Sequence, residues 1–322
     1  MNKSLSLTAK ILILVVLALV FGAAMVGLSI RRADSRGVES NNFWGKGDQN
    51  IEKKFSVQPD GDLVIDADEG DVTVTGTDVS EVSIVVTMSG DKERLDKYHV
   101  SFEQTGNTVH IEARENRNHF RFFENGSLSV RYEIRVPKKF NLDLQTAGGD
   151  LVVNSLEGKV TGTTSGGNLD IGSLIGTVKM ETSGGDVDIK NCQGELSLTT
   201  SGGEIYGESV SGDLYAETSG GNIKFKNVDA KLRTETSGGN IEISATSNKG
   251  IYAETSGGNV RIRLPRSIAA EVDASTSGGD CDCDLQFSGK IKNGDMYGKI
   301  NGGGNMIKAR TSGGNITISA LD

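Results

Sequence analysis

Residues 218–240 read Thr-Ser-Gly-Gly-Asn-Ile-Lys-Phe-Lys-Asn-Val-Asp-Ala-Lys-Leu-Arg-Thr-Glu-Thr-Ser-Gly-Gly-Asn, one full period of a repeat and the start of the next. Residues 222–226 alternate in polarity, residues 227–230 turn, residues 231–236 alternate again, and Ser237-Gly238-Gly239 turns back. Two short strands and two turns therefore make one coil. The turn motif starts at Thr164, Thr182, Thr200, Thr218 and Thr236, 18 residues apart, after a variant at Thr146-Ala147-Gly148-Gly149. Looser steps lead to Thr255 and Thr276, and a last copy begins at Thr311. Self-similarity at a fixed short period marks a solenoid, in which each coil buries its apolar face on its neighbours. The expected fold is all-β: a parallel β-helix, or β-solenoid, with coils of about 18 residues.

Stacking the copies aligns apolar ladders. One is Leu151, Leu169, Val187, Ile205, Ile223, Ile241, Val260, Cys281 and Ile316; another is Leu142, Val160, Val178, Leu196, Leu214, Leu232, Ile251, Val272 and Ile307. A third runs from Val153 through Gly207 and Phe225 to Cys283 and Ile318. Cys281 and Cys283 thus stand where other coils carry aliphatic residues, which predicts buried thiols rather than a disulfide. Cys192 aligns with Leu156, Leu174 and Val228 and reads the same way. The glycine pairs Gly166-Gly167, Gly184-Gly185, Gly202-Gly203, Gly220-Gly221, Gly238-Gly239 and Gly257-Gly258 read as structural turns. Positive φ and close backbone approach are the two reasons for glycine there. The motif threonines form a column whose hydroxyls are placed to bond the turn backbone or one another.

Composition narrows the function. The chain has 322 residues with 43 Gly and only 3 Pro, which with a strict period is neither collagen nor a flexible linker. Net charge is −9 with no basic patch, which argues against a nucleic-acid partner. The 3 Cys have no His near them, so no zinc pattern appears and no cofactor is expected.

Residues 11–30 are apolar or small without a charge, long enough to cross the roughly 30 Å hydrocarbon core. The segment reads as one N-terminal transmembrane helix, with a signal peptide cut near Gly22-Ala23-Ala24 as the alternative. The expected organisation is a membrane anchor over 1–32, a linker over 33–50, a β-rich capping part over 51–140 and the repeat solenoid over 141–322. A single-pass membrane protein with its solenoid on the extracytoplasmic side follows. In the capping part, strand-like runs such as Leu63-Val64-Ile65 and Val72-Thr73-Val74 are parted by turns. Residues 91–97 are the one short helix expected.

The leading strands, the Val136-Pro137 step, the Leu142, Leu144, Thr146 run and the serial Thr-Ser-Gly-Gly-Asn/Asp turns resemble a bacterial β-strand-repeat family, domain of unknown function 4097. The resemblance covers about residues 50–322. It implies a parallel β-helix of adhesin-like character, commonly at the cell envelope, and brings no catalytic residues.

Three polar columns remain as candidate chemistry. The residues after Gly-Gly (Asp150, Asn168, Asp186, Glu204, Asn222, Asn240, Asn259, Asp280, Asn315) read as a turn column, not a metal site, because about half are Asn and the glycine-rich calcium nonapeptide is absent. Glu217, Glu235 and Glu254 stack at strand spacing and form a candidate cation stripe, against the plainer reading of a solvated face. Tyr206, Tyr215, Arg233 and Tyr252 form the candidate ligand surface, since rings beside polar groups suit recognition. Asp282, Asp284 and Asp295, in the one long insertion, are the only acidic loop for a polysaccharide-cleaving enzyme. The reading is a non-catalytic, adhesin-like module for an envelope glycan or protein. An assembly or envelope-stress scaffold for membrane proteins is the alternative.

Overall fold

The computed structural model describes residues 46–116 and 126–321. Its strands are β1 (Lys46–Ser56), β2 (Gly61–Ala67), β3 (Asp71–Thr77), β4 (Glu81–Asp91), β5 (Tyr98–Thr105), β6 (Thr108–Glu115), β7 (Leu128–Pro137) and β8 (Phe140–Thr146). There follow β9 (Leu151–Thr164), β10 (Leu169–Thr182), β11 (Val187–Lys190), β12 (Gln193–Thr200), β13 (Ile205–Glu208), β14 (Ser211–Thr218), β15 (Ile223–Thr236), β16 (Ile241–Ala245), β17 (Ile251–Thr255) and β18 (Val260–Leu264). The last six are β19 (Ala270–Thr276), β20 (Cys281–Cys283), β21 (Phe287–Lys292), β22 (Asp295–Ile300), β23 (Met306–Thr311) and β24 (Ile316–Ala320). One helix, α1 (Lys92–Lys97), joins β4 to β5.

Successive coils pair in parallel. Leu151 lies beside Leu169 and Val160 beside Val178, and the same offset carries Leu214 beside Leu232 and Ile205 beside Ile223. Each coil gives one strand to a row that follows the Thr-Ser-Gly-Gly turn, row 1, and one to a row that precedes it, row 2. Alternation turns every second side chain inward, and the ladder residues Ile223, Phe225, Leu232 and Ile241 are buried. Each such Leu, Ile or Phe contributes roughly 1.5–3 kcal/mol relative to exposure. Small and large residues compensate between coils. A Cβ on Gly207 would lie 2.3 Å from the Phe225 ring, so the missing side chain in one coil makes room for the ring of the next.

The turn glycines act through space, not through φ: none of the repeat pairs takes positive φ. A Cβ on Gly221 would lie 1.9 Å from the carbonyl oxygen of Gly203, whereas one on Gly220 would meet nothing nearer than 3.5 Å. Only the second glycine of the pair is required by packing. Positive φ appears at the other bend of the coil, at Ser155, Ser173, Asn191, Ser209 and Asn227 (φ 53–58°). Asn, and Ser less often, tolerate that region through local hydrogen bonds.

Stack order departs from chain order at both ends. The first coil, β2 with β3, lies inside: β2 is flanked by β6 and β8, β3 by β7 and β9, all parallel. Outside it come β6 and β7, then antiparallel β5 on β6, β4 on β7 and β1 on β4. At the other end the last coil is inserted rather than terminal. β23 lies between β17 and β19, and β24 between β18 and β20. Ile307 therefore stands between Ile251 and Val272, and Ile316 between Val260 and Cys281, so the last two rungs of each ladder are exchanged relative to the sequence. The hairpin of β21 and β22 adds antiparallel to β19.

Several expectations need correction. β1 begins at Lys46, inside the stretch expected as linker. Cys283 is only half-buried, because β20 has no neighbour beyond β24; Cys192 and Cys281 are buried, and all three are free thiols. The single-pass membrane placement, with the extracytoplasmic side assigned to the repeats, does not stand. No helix among the described residues is long and apolar enough to cross a membrane. Residues 11–30, which carried that expectation, lie outside the described residues, as does the linker up to residue 45.

Candidate functional site

The turn columns are occupied by the fold itself. Each motif threonine donates to the second glycine carbonyl of the preceding coil: Thr182 to Gly167 at 2.9 Å, Thr200 to Gly185 at 2.8 Å, Thr236 to Gly221 at 2.9 Å. In most coils the polar residue after the pair accepts the next coil's backbone N–H; Glu204 instead accepts the Asn222 side-chain amide at 2.6 Å. Asn168 Oδ1 takes Asp186 N–H at 2.9 Å, and Asn222 Oδ1 takes Asn240 N–H at 2.9 Å. This ladder uses the oxygens a cation would need. Among the described residues no group of three or more His, Cys, Asp or Glu is placed to hold a metal ion.

Row 2 brings three of the four ligand-surface residues together. Tyr215 lies beside Arg233 and Arg233 beside Tyr252, with Lys308 next in the column. The Arg233 guanidinium sits 4.5 Å from the Tyr252 ring centroid and the Lys308 ammonium 5.6 Å from it. The glutamate stripe runs alongside and is partnered throughout. Tyr215 donates to Glu217 at 2.6 Å, Arg233 pairs with Glu235, and Tyr252 donates to Glu254. Partial burial, then donation to Glu217, pushes the Tyr215 phenol up to about 12. Donation to Glu254 comes first in raising Tyr252. Each carboxylate has one oxygen engaged by the residue two earlier in the same strand, which favours a paired, solvated face over a cation stripe.

Tyr206 does not join that column. It projects from β13 in row 1, beside Asp188 and Lys224. A groove of about 370 Å³ crosses the row there, bounded by Tyr206, Lys224, Glu242 and Arg261 from successive coils, with Asn222, Asn240 and Asn259 along one rim. Glu242 takes an ion pair from Arg261 at 3.0 Å and one from Lys224 at 3.4 Å. Partial burial works to raise the Glu242 carboxyl, and Lys224, Arg263 and Arg261 outweigh it, holding the group below the usual range. The ammonium groups of Lys190 and Lys226 sit 5.8 and 5.7 Å from the Tyr206 ring, whose hydroxyl donates to Glu208 at 2.8 Å. Sequence spacing missed this groove. Its residues lie 18 or 19 apart, one per coil, and each looks like an ordinary exposed position in its own strand.

Of Asp282, Asp284 and Asp295 in the acidic insertion, two make structural hydrogen bonds. Asp284 accepts the Ala320 N–H at 2.8 Å and Asp295 accepts the Ser275 hydroxyl at 2.7 Å, so both serve the inserted-coil architecture.

Comparison with known proteins gives a family without a defined activity. No curated protein matches the chain. Solved structures that resemble it include a putative lipid binding protein from Parabacteroides distasonis, 15% identical, covering 85% of this chain and 97% of its own, at TM-score 0.38. A putative adhesin from Bacteroides fragilis is 14% identical, with 84% and 97% covered, at TM-score 0.34. A putative cell adhesion protein from Clostridium sporogenes is 14% identical, with 84% and 100% covered, at TM-score 0.23. Scores this low carry no argument about ligands. The Toastrack DUF4097 profile, in contrast, matches residues 61–319. A match over that much of a chain whose strands stack coil on coil is decisive: the protein belongs to the Toastrack DUF4097 family.

Proposed function

We propose that the protein is a non-catalytic binding module that takes an extended, hydroxyl-rich polymer, a polysaccharide, along the row 1 groove. The observation that carries this is the groove's repetition. Tyr206, Lys224, Glu242 and Arg261 come from four successive coils, so a polymer laid along the stack meets a new polar side chain every ~4.8 Å. Two cations and two carboxylates (Lys224, Arg261, Glu204, Glu242) leave the lining balanced, which suits hydroxyls better than a strongly charged ligand. The Asn222, Asn240 and Asn259 amides add donors and acceptors at the rim. The tyrosine ring supplies an apolar face once the Lys190 and Lys226 ammoniums move aside, Lys190 staying within reach of Asp188, a small loss at an exposed site. Row 2 is the second surface: its rings and carboxylates pair with each other much as Glu242 does with Lys224 and Arg261, and the groove lies on row 1.

Co-sedimentation of the full chain with cell-envelope polysaccharide, with and without EDTA, tests the proposal. Saturable binding indifferent to EDTA is expected. Absence of saturable binding removes the polysaccharide, and loss with EDTA shows that a cation takes part.

A further inference from the structure

We propose that the N-terminal end of the stack holds a further binding site, a slot one strand wide beside β5, which takes an extended peptide segment of another protein by strand addition. Beyond the coil of β6 and β7, row 1 carries two more strands, β4 and β1, whereas row 2 carries one, β5. A single added strand levels the two rows. Half-buried apolar side chains mark the same place. Ile51 and Phe55 stand opposite Val86 and Val82, on the core-facing side of β1. Val100 and Phe102 stand opposite Ala113 and Ile111, on the core-facing side of β5. β1 is thus the floor of the slot and the free edge of β5 its wall.

The backbone of that edge makes the occupant a strand. Just before the β5–β6 ladder the Asn116 N–H donates to the Lys97 carbonyl at 2.9 Å, whereas the Tyr98 N–H turns back to the Arg94 and Leu95 carbonyls of α1. Backbone direction alternates along a paired strand, so the N–H and C=O groups of Val100 and Phe102 point away from β6 and into the slot. Such unpaired groups are a template for an incoming chain. The slot is short. At one end α1 closes it, where a Cβ on Gly47 would lie 3.1 Å from the Leu95 side chain. At the other end the Gln104 side-chain amide crosses from β5 to the Ser56 carbonyl of β1 at 2.8 Å.

Lys53 gives the slot its selectivity. It lies between Ile51 and Phe55 on the same core-facing side of β1, opposite Ile84, and is half-buried. Lys54, on the outer side, pairs with Glu81 at 2.7 Å, whereas Lys53 takes no ion pair among the described residues. An inward-pointing charge at an edge guards against indiscriminate pairing, because a wholly apolar strand would cover the ammonium without a counter-charge. A strand with an acidic residue among its inward side chains supplies that charge. The partner segment therefore alternates, with apolar residues and one Asp or Glu on the side that faces the slot.

Hydrogen exchange and a peptide titration of the full chain test the proposal. In the free protein the Val100 and Phe102 amides should exchange at least tenfold faster than those of Ser101 and Glu103, which face β6. The synthetic peptide Thr-Val-Thr-Asp-Thr-Val-Thr should bind saturably and slow exchange at Val100 and Phe102. It should bind at least tenfold more tightly than Thr-Val-Thr-Lys-Thr-Val-Thr, and Lys53→Glu should reverse that preference. Val100→Pro removes one outward N–H and leaves the β6 ladder intact, so it should weaken binding at least tenfold with thermal unfolding unchanged. Slow exchange at the two amides in the free protein overturns the proposal, because the slot is then already filled by this chain or by a second copy. So does a peptide that fails to saturate, or one that binds both variants as tightly as the unaltered protein.

Discussion

The Thr218 hydroxyl donates to the Gly203 carbonyl of the preceding coil at 2.8 Å and accepts the N–H of Gly221, three residues on in its own turn, at 3.3 Å. One side chain thus locks its own turn and ties it to the coil before. The same pair of bonds recurs at Thr164, Thr182, Thr200, Thr236, Thr255, Thr311 and Thr276. Thr218→Val keeps the volume and removes both bonds in a buried place, which should cost about 1–3 kcal/mol. Thr218→Ser keeps the hydroxyl and should cost less. Urea unfolding of the three proteins checks the order.

The two turn glycines should separate cleanly. Gly221→Ala drives a Cβ to 1.9 Å from a backbone oxygen that cannot move without shifting a whole coil, so a loss of roughly 3 kcal/mol or more is expected. Gly220→Ala meets only ordinary contacts at 3.5 Å and takes no positive φ, so a change within about 1 kcal/mol is expected. Equal melting temperatures for the two variants would contradict the close-approach account.

Cysteine pairs read the stack order directly. Ala309 lies between Ala253 and Ala274 as ladder partner of both. Ala253→Cys with Ala309→Cys should cross-link on oxidative refolding, because neighbouring strands are ~4.8 Å apart. Ala253→Cys with Ala274→Cys, two strand spacings apart, should not. Non-reducing electrophoresis distinguishes them, and the reverse pattern would mean that the last coil is terminal.

Alkaline stability should follow the buried phenols. Tyr98 and Tyr132 share a hydrogen bond at 3.0 Å between their hydroxyls, and Tyr98 also donates to the Glu69 carbonyl at 2.8 Å. Burial raises both above the ordinary tyrosine value, Tyr132 the further. A raised folded pKa gives stability that is whole below the unfolded value, about pH 10, and lost as pH climbs above it. The loss approaches roughly 1.4 kcal/mol per pH unit for each proton the folded state retains. Chemical denaturation at pH 8, 10 and 11 should show a plateau and then a fall, and Tyr132→Phe should make the fall shallower.

Much of this was legible in the sequence. The interior ladders are written in residues such as Ile205, Ile223 and Ile241, since a position that is aliphatic every 18 residues has one place to go. The short helix around residues 92–97 was legible from its charged, turn-free run. The order of the final coils was not. Val272 and Ile307 are equally good partners for Ile251, and only the hairpin between them, which adds to the outer side of β19, decides which lies inside. The glycine pair offered two reasons, positive φ and close backbone approach; the second holds, at the second glycine of the pair, and the first does not. Tyr206 and Tyr215 read as one surface because both are outward rings beside polar side chains; the positive-φ bend at Ser209 lies between them, and they stand in different rows.

Titration calorimetry of the full chain with a cell-envelope polysaccharide, comparing the two rows, bears most directly on the proposed binding role. Tyr206→Ala with Arg261→Ala should weaken binding at least tenfold, about 1.4 kcal/mol, while Tyr215→Ala with Tyr252→Ala stays within about twofold of the unaltered protein. Binding that survives the first pair of changes and is lost with the second would place the ligand on row 2 and contradict the account.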